Sequence, residues 1–273
     1  MKHAKLGKGL ALLFAAVLAL TAAGCGSAQT GNNRSDGSLQ KILDAGQLVL
    51  GLDTEFPPMG YIDETGEIVG FDIDVAQEVC DRLGVTLVKQ GIDWDTKEDD
   101  LNKGNIDCIW NGMSVTPARA EEMNLSEPYM KNEVIVVVLG SSDIEVLRDL
   151  AGRKVGVQSG STAQDVLETS DKVSDISIVT FDDNMELLKK LEQEEVDAAL
   201  VDSVVAYHFI FSSDRKYYVL PDSLDEEEYA IGFRKGDQAL RDRVQEILSE
   251  MKADGTLGVI SKKWFGSDIT TVR

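Results

Sequence analysis

The chain has 273 residues, with 48 acidic against 27 basic side chains and two histidines, a formal net charge of −21. An acidic excess of this size excludes nucleic acid as a partner, because phosphate binding needs a basic face. The length suits one large domain or two lobes of ordinary size, each able to bury a core.

In chain order, the basic stretch MKHAKLGK comes first and is followed by the apolar run GLALLFAAVLALTAA. That run is short for a membrane span of about 20 residues, so residues 1–24 read as a secretory signal. The segment holds Lys2, Lys5 and Lys8 and no acid. Without it, 24 bases face 48 acids, a net charge of −24. The run ends in Ala22-Ala23-Gly24-Cys25, which resembles a bacterial lipobox and makes Cys25 the expected site of lipidation. Residues 25–37 are small and polar and read as a flexible tether. The folded part is thus expected outside the cytoplasmic membrane, anchored by lipid but not spanning it.

SLQKILDAG then reads as a short helix and QLVLGLD as a buried strand. From Gly70 to Gly84, Val75, Val79 and Leu83 recur at a spacing of four, the pattern of an amphipathic helix. VTLVKQG is a strand, KEDDLNKG a short helix, and NIDCIWNGMSV a strand feeding a helix that opens at Thr116-Pro117. The alternation restarts with the strand RKVGVQSG and the helix TAQDVLETS. ISIVTF, NMELLKKLEQEE, VDAALVD and SVVAYHFIFSS continue it as strand, helix, strand and helix. YYVLPDSLDEEEYAIGFRKGD holds two extended segments, and DQALRDRVQEILSEMKADG reads as the last helix, ending at a glycine. Strands alternating with helices imply an α/β fold with a parallel sheet, here in two similar halves. The connections between the halves fall near YMKNEVIV and DEEEYAIG. A ligand of such a fold sits beyond the carboxyl ends of the strands, in the cleft between the halves.

Few residues suit catalysis. His3 lies in the signal and His208 in an apolar helix, and no P-loop, dinucleotide fingerprint or nucleophile elbow is present. The runs EDD, DEEE and EQEE read as solvated surface. Cys80 and Cys108 read as buried free thiols without metal-site spacing. No cofactor or metal is expected.

Residues that are odd choices for stability cluster at strand ends: Asp53, Trp94, Gly112 and Ser114, then Gly160, Ser161 and Thr162, then Asp202. Arg119 stands in the first turn of its helix, where the dipole disfavours a cation. Either it leans to an acid such as Glu122, or it awaits an anion. An arginine fork with backbone N–H groups suits a carboxylate, and an aspartate suits an ammonium. Aromatics such as Phe56 and Trp94 supply walls, though each could equally be a core residue, and Asp202 could simply cap a helix. One carboxylate and one ammonium on a small body describe a free amino acid.

GFDIDVAQEVCDRLG, from Gly70 to Gly84, resembles the signature of bacterial solute-binding protein family 3, the extracytoplasmic receptors of amino-acid ABC transporters. LDTEFPPMGYIDETGEIVGFDID, IDWDTKEDDLNKGNIDCIWNGMSVTPARAEEMNLSEPYM, KVGVQSGST, VDAALVD and MKADGTLGVISKKWFG extend the resemblance over nearly all of the mature chain. It implies a periplasmic-binding-protein-like fold of type II, with two Rossmann-like lobes joined by two hinge strands. Residues 38–130 plus 230–267 would form lobe 1, residues 131–229 lobe 2, and residues 268–273 a tail. It further implies that Arg119 grips the ligand carboxylate with help from Gly112, Ser114 and Thr162, and that Asp202 binds the ammonium. Phe56 and Trp94 would wall the side chain, Asp53 and Gln158 would meet its far end, and Ser161 stands at a helix start beside them. A monomer working with a membrane permease is implied. Asp53, Glu55 and Asp93 lean toward arginine or lysine, while Gln158 suits glutamine, and cystine stays open. The competing readings are an enzyme on the same scaffold, such as a periplasmic dehydratase of cyclic amino-acid precursors, and a sensor or adhesin module.

Overall fold

The structure is a computed structural model that describes Met1 and residues 36–273. The signal, Cys25 and nearly all of the tether lie outside the described residues.

The first half opens with α1 (Ser38–Ala45), β1 (Gln47–Leu52) and a small sheet of β2 (Glu55–Phe56), β3 (Gly60–Ile62) and β4 (Ile68–Val69). It continues through α2 (Phe71–Leu83), β5 (Thr86–Gly91), α3 (Lys97–Lys103), β6 (Cys108–Ser114), α4 (Pro117–Glu122) and β7 (Met123–Leu125). The long strand β8 (Met130–Leu139) leads to β9 (Lys154–Gln158), α5 (Thr162–Thr169), β10 (Ser177–Phe181), α6 (Asn184–Glu192), β11 (Ala198–Asp202), α7 (Ser203–Ser212) and β12 (Tyr217–Val219). A second long strand, β13 (Asp225–Arg234), returns the chain to the first half, where α8 (Gln238–Asp254) and α9 (Thr256–Phe265) complete it.

The main sheet runs β10-β9-β11-β8-β13-β6-β1-β5, with β12 on β8 and β7 on β13. Its flanks are parallel: β1 pairs with β5 and β6, and β9 with β10 and β11. Its centre is not. β8 runs antiparallel to β11, β13 runs antiparallel to β6, and the two long strands pair with each other from Met130–Val134 to Asp225–Tyr229. The wholly parallel sheet expected from strand–helix alternation is therefore a mixed one, because the two strands that cross between halves run against their neighbours.

The period of two explains how β8 serves both faces. Val134, Val136 and Val138 join one apolar cluster and Ile135 and Val137 another, so the strand reads as an unbroken apolar run. On α2, Val75 and Val79 are buried with Phe71, as the spacing of four requires. Two features exceed the sequence reading. The α8 helix is not the last, since α9 begins directly after Gly255, and the small sheet has strands of two or three residues, too short for alternation to show. Cys80 and Cys108 are both buried free thiols.

Gly70 joins the small sheet to α2 at φ +148°, and a Cβ there would run into the Met59 carbonyl oxygen. Both the backbone angle and the space demand glycine. Gly70→Ala is expected to destabilise the fold by roughly 2–5 kcal/mol; a urea midpoint within error of the parent would contradict this packing.

Candidate functional site

The parallel strands converge on one seam. Asp53 follows β1, Gly112 and Ser114 end β6, Gln158 ends β9 and Asp202 ends β11. Arg119 enters from α4, whose start is fixed by the Thr116 hydroxyl accepting the Arg119 backbone N–H at 3.1 Å and by Pro117 behind it.

Arg119 is only 9% exposed. Its Nη1 donates to the Ser114 carbonyl at 2.9 Å and its Nη2 to the Gly160 carbonyl at 3.5 Å. It forms no ion pair with Glu122 or with any other acid among the described residues. Burial lowers the guanidinium from its ordinary value, and Glu98, Glu227, Asp165 and Asp202 act on it only through the field. An arginine keeps its charge even so. A buried cation that bonds only carbonyls is left short of a counter-charge.

The opposing acid comes from β11. Asp202 occupies the cap position of α7, yet its side chain makes no cap bond and instead accepts from Asn132 Nδ2. Burial, and then the Glu227 carboxylate, push Asp202 well above the usual carboxylate range. Glu227 accepts from Asn132 Nδ2 at 3.1 Å and from the Ser114 hydroxyl at 2.8 Å, and the Thr162 hydroxyl donates to Ser114 Oγ at 3.3 Å. Glu227 corrects the reading of DEEE as solvated surface. It lies on a strand, and alternation turns Glu227 inward while Glu226 and Glu228 face out.

Toward the other end of the seam, Gln158 Nε2 donates to Asp53 Oδ2 at 2.7 Å and to the Asp182 carbonyl at 3.1 Å, and its Oε1 accepts from Asn184 at 2.6 Å. Burial raises Asp53 from the usual carboxylate value, with Asp183 and Asp93 adding to the rise. Ser161 caps α5, accepting the Gln164 N–H at 3.2 Å and donating to the Gln158 carbonyl at 2.8 Å. Phe56 and Trp94 are both buried. Phe56 lies against Gly112: the glycine sits at φ +56°, and a Cβ there would fall 2.9 Å from Phe56 Cε1. The Gly112 N–H is already committed, donating to Asp72 Oδ2 at 2.7 Å.

Sequence reasoning missed Lys97. It is 3% exposed, its ammonium lies 4.9 Å over the Trp94 ring, and it donates to the Trp94 carbonyl at 2.9 Å and the Gly160 carbonyl at 3.4 Å. Burial, then the nearby Arg119, lower its pKa. The only available hint was its position one turn after Trp94 in an otherwise polar helix. Ser159 donates to Asp95 Oδ2 at 2.9 Å, so several bonds cross the seam and hold the halves together. Among the described residues, no group of three His, Cys, Asp or Glu could hold a metal, and no helix is long and apolar enough to cross a membrane.

A two-part α/β frame with an unpaired arginine facing an aspartate at the strand ends defines a small-molecule receptor class. The chain matches the bacterial extracellular solute-binding proteins, family 3, over residues 48–267, and belongs to that family. It is similar to the L-cystine-binding protein TcyJ of Escherichia coli (strain K12), 29% identical over 237 residues, 86% of this chain and 88% of that protein. The arginine-binding extracellular protein ArtP of Bacillus subtilis (strain 168) is 31% identical over 262 residues, covering 94% of this chain and 98% of ArtP. A crystal structure of an ABC uptake transporter substrate-binding protein from Streptococcus pneumoniae with bound histidine superposes with a TM-score of 0.83 at 35% identity, over 86% of this chain and 98% of that one.

Asp72, which holds Gly112, is fully buried and pushed up to about 7 by that burial, against the bonds from Gly112 and from Tyr129 Oη at 2.9 Å. Between the unfolded value and about 7, the folded chain holds a proton that the unfolded chain has released. Stability from this group is therefore lost as pH rises through that window. Asp72→Asn is expected to flatten part of the fall in melting temperature between about pH 4 and about pH 7; parallel profiles for parent and variant would remove Asp72 from the account.

Proposed function

We propose that the protein captures a free L-amino acid between its two halves and presents it to an ABC transporter permease. The observation that carries this is the buried Arg119 without an acidic partner, set in the same seam as Asp202. The ligand carboxylate takes the guanidinium and, once they turn from Glu227 and Ser114 Oγ, the hydroxyls of Ser114 and Thr162, and the ammonium takes Asp202. Phe56 and Trp94 flank the side chain. Asp53, raised by burial and by Asp183 and Asp93, stands where the side chain ends, together with Gln158. Carboxylates crowded in this way favour a polar side chain, and a cationic one most. Relatives named for cystine and arginine and one holding histidine share the frame, so the side chain is chosen by this end of the seam.

On this reading residues 38–130 with 230–267 move against residues 131–229, and the ligand selects the closed arrangement by its added contacts. The protein acts as a binder and not a catalyst: among the described residues, His208 makes no side-chain hydrogen bond to any residue assigned to the ligand, and the Asp202 carboxylate suits an ammonium. Cys25 carries the lipid that keeps the receptor beside the permease, raising its effective concentration there.

The test is titration calorimetry of the chain from Gly26, unfolded and refolded to remove carried ligand, against the proteinogenic amino acids with ornithine and cystine. Arginine or lysine is expected to bind tightest. Arg119→Ala and Asp202→Asn are each expected to lose about 3 kcal/mol or more of binding, near or above 100-fold, with circular dichroism unchanged. Parent-like affinity in either variant would sink the assigned role.

A further inference from the structure

A groove of about 990 Å³ borders the seam: Asn132 and Glu227, which bond beside Asp202, help line it, but none of the residues assigned to the amino acid does. One wall is α7, where Tyr207 and Phe211 stack at 6.4 Å and Phe211 is 86% exposed. The facing wall is Trp264, with Phe265 and Ile269 beside it. Trp264 is fixed in place. Its Nε1 donates to Asp74 Oδ2 at 2.7 Å and its ring meets Tyr61 edge-on at 6.3 Å, while Tyr61 in turn touches the His208 ring at 5.7 Å.

The floor is the outward face of the crossing strands. Glu133 and Glu226 stand directly opposite each other in the β8–β13 register, and Glu228 stands opposite Lys131. Like charges placed across a strand pair repel, and neither Glu133 nor Glu226 has an ion-pair partner among the described residues. Three carboxylates against one ammonium leave the floor negative. Aromatic walls over a negative floor, in a groove of drug-like size, match an organic cation with an aromatic body.

We propose that this groove is a second small-molecule site, one that takes an amine carrying an aromatic group. The ammonium sits over Glu133 and Glu226, and the ring lies between Trp264 and the Tyr207–Phe211 pair. The proposal does not depend on which amino acid fills the seam.

The test uses 2-phenylethylamine, with 2-phenylethanol as its uncharged counterpart, followed by calorimetry and tryptophan fluorescence. Saturable amine binding is expected in the parent protein and in Asp202→Asn, which lacks the carboxylate assigned to an ammonium in the seam. Tyr207→Ala/Phe211→Ala, a change at exposed side chains, is expected to weaken the amine about tenfold or more. Glu133→Gln/Glu226→Gln is expected to weaken the amine several-fold and leave the alcohol unchanged. Absence of saturable binding, loss of binding in Asp202→Asn, or full binding in the aromatic double variant would each overturn the proposal. A membrane protein segment as the true occupant would appear as the first of these results.

Discussion

A cation is buried here with no acidic partner among the described residues. Arg119 is buried in the seam, bonded to the carbonyls of Ser114 and Gly160, and every acid that stabilises it does so from a distance. Removing a charge from water costs several kcal/mol after relaxation, and two carbonyl bonds offset only part of that. The helix that carries Arg119 adds to the cost by presenting its positive end. Much of the surrounding arrangement follows from this imbalance. Lys97 has its pKa lowered beside it, and the second half contributes the Gly160 carbonyl to both cations.

The acids are arranged in the opposite sense. Asp202 and Glu227 are neighbours, burial and the Glu227 carboxylate push Asp202 up, and Asn132 Nδ2 donates to both. From there the bonds continue through Ser114 to Thr162. The path runs from α5 to β6, then across the two crossing strands to β11, so it visits both halves and both connections. On the proposed reading, a ligand ammonium meets Asp202 at one end of this path and its carboxylate meets Arg119 at the other, so a zwitterion suits the site better than a simple acid or amine.

Most of the element order was legible because apolar spacing reports it directly. The spacing of Val75 and Val79 and the apolar runs of β8 and β11 leave little choice. Arg119 stood out because it violates a local preference that sequence displays. Glu227 and Lys97 did not. Each lies in a polar string, and each is buried only because its neighbours turn outward, which depends on the tertiary fold. Gln158 is intermediate: its strand-end position was readable, but its engagement with Asp53, Asp182 and Asn184 belongs to segments far apart in the chain. Spacing finds residues that are unusual where they stand, and misses those made unusual by what folds over them.

The two connections between the halves are hydrogen-bonded to each other along Met130–Val134 and Asp225–Tyr229. They form a ribbon, not a pair of separate cords. A ribbon of paired strands bends across its broad face and resists shear within its plane, since shear would break its cross-links. If the halves move as proposed, the ribbon leaves them one easy path of opening, so a solute would enter and leave through the same mouth and a membrane partner would meet only one geometry of the loaded form.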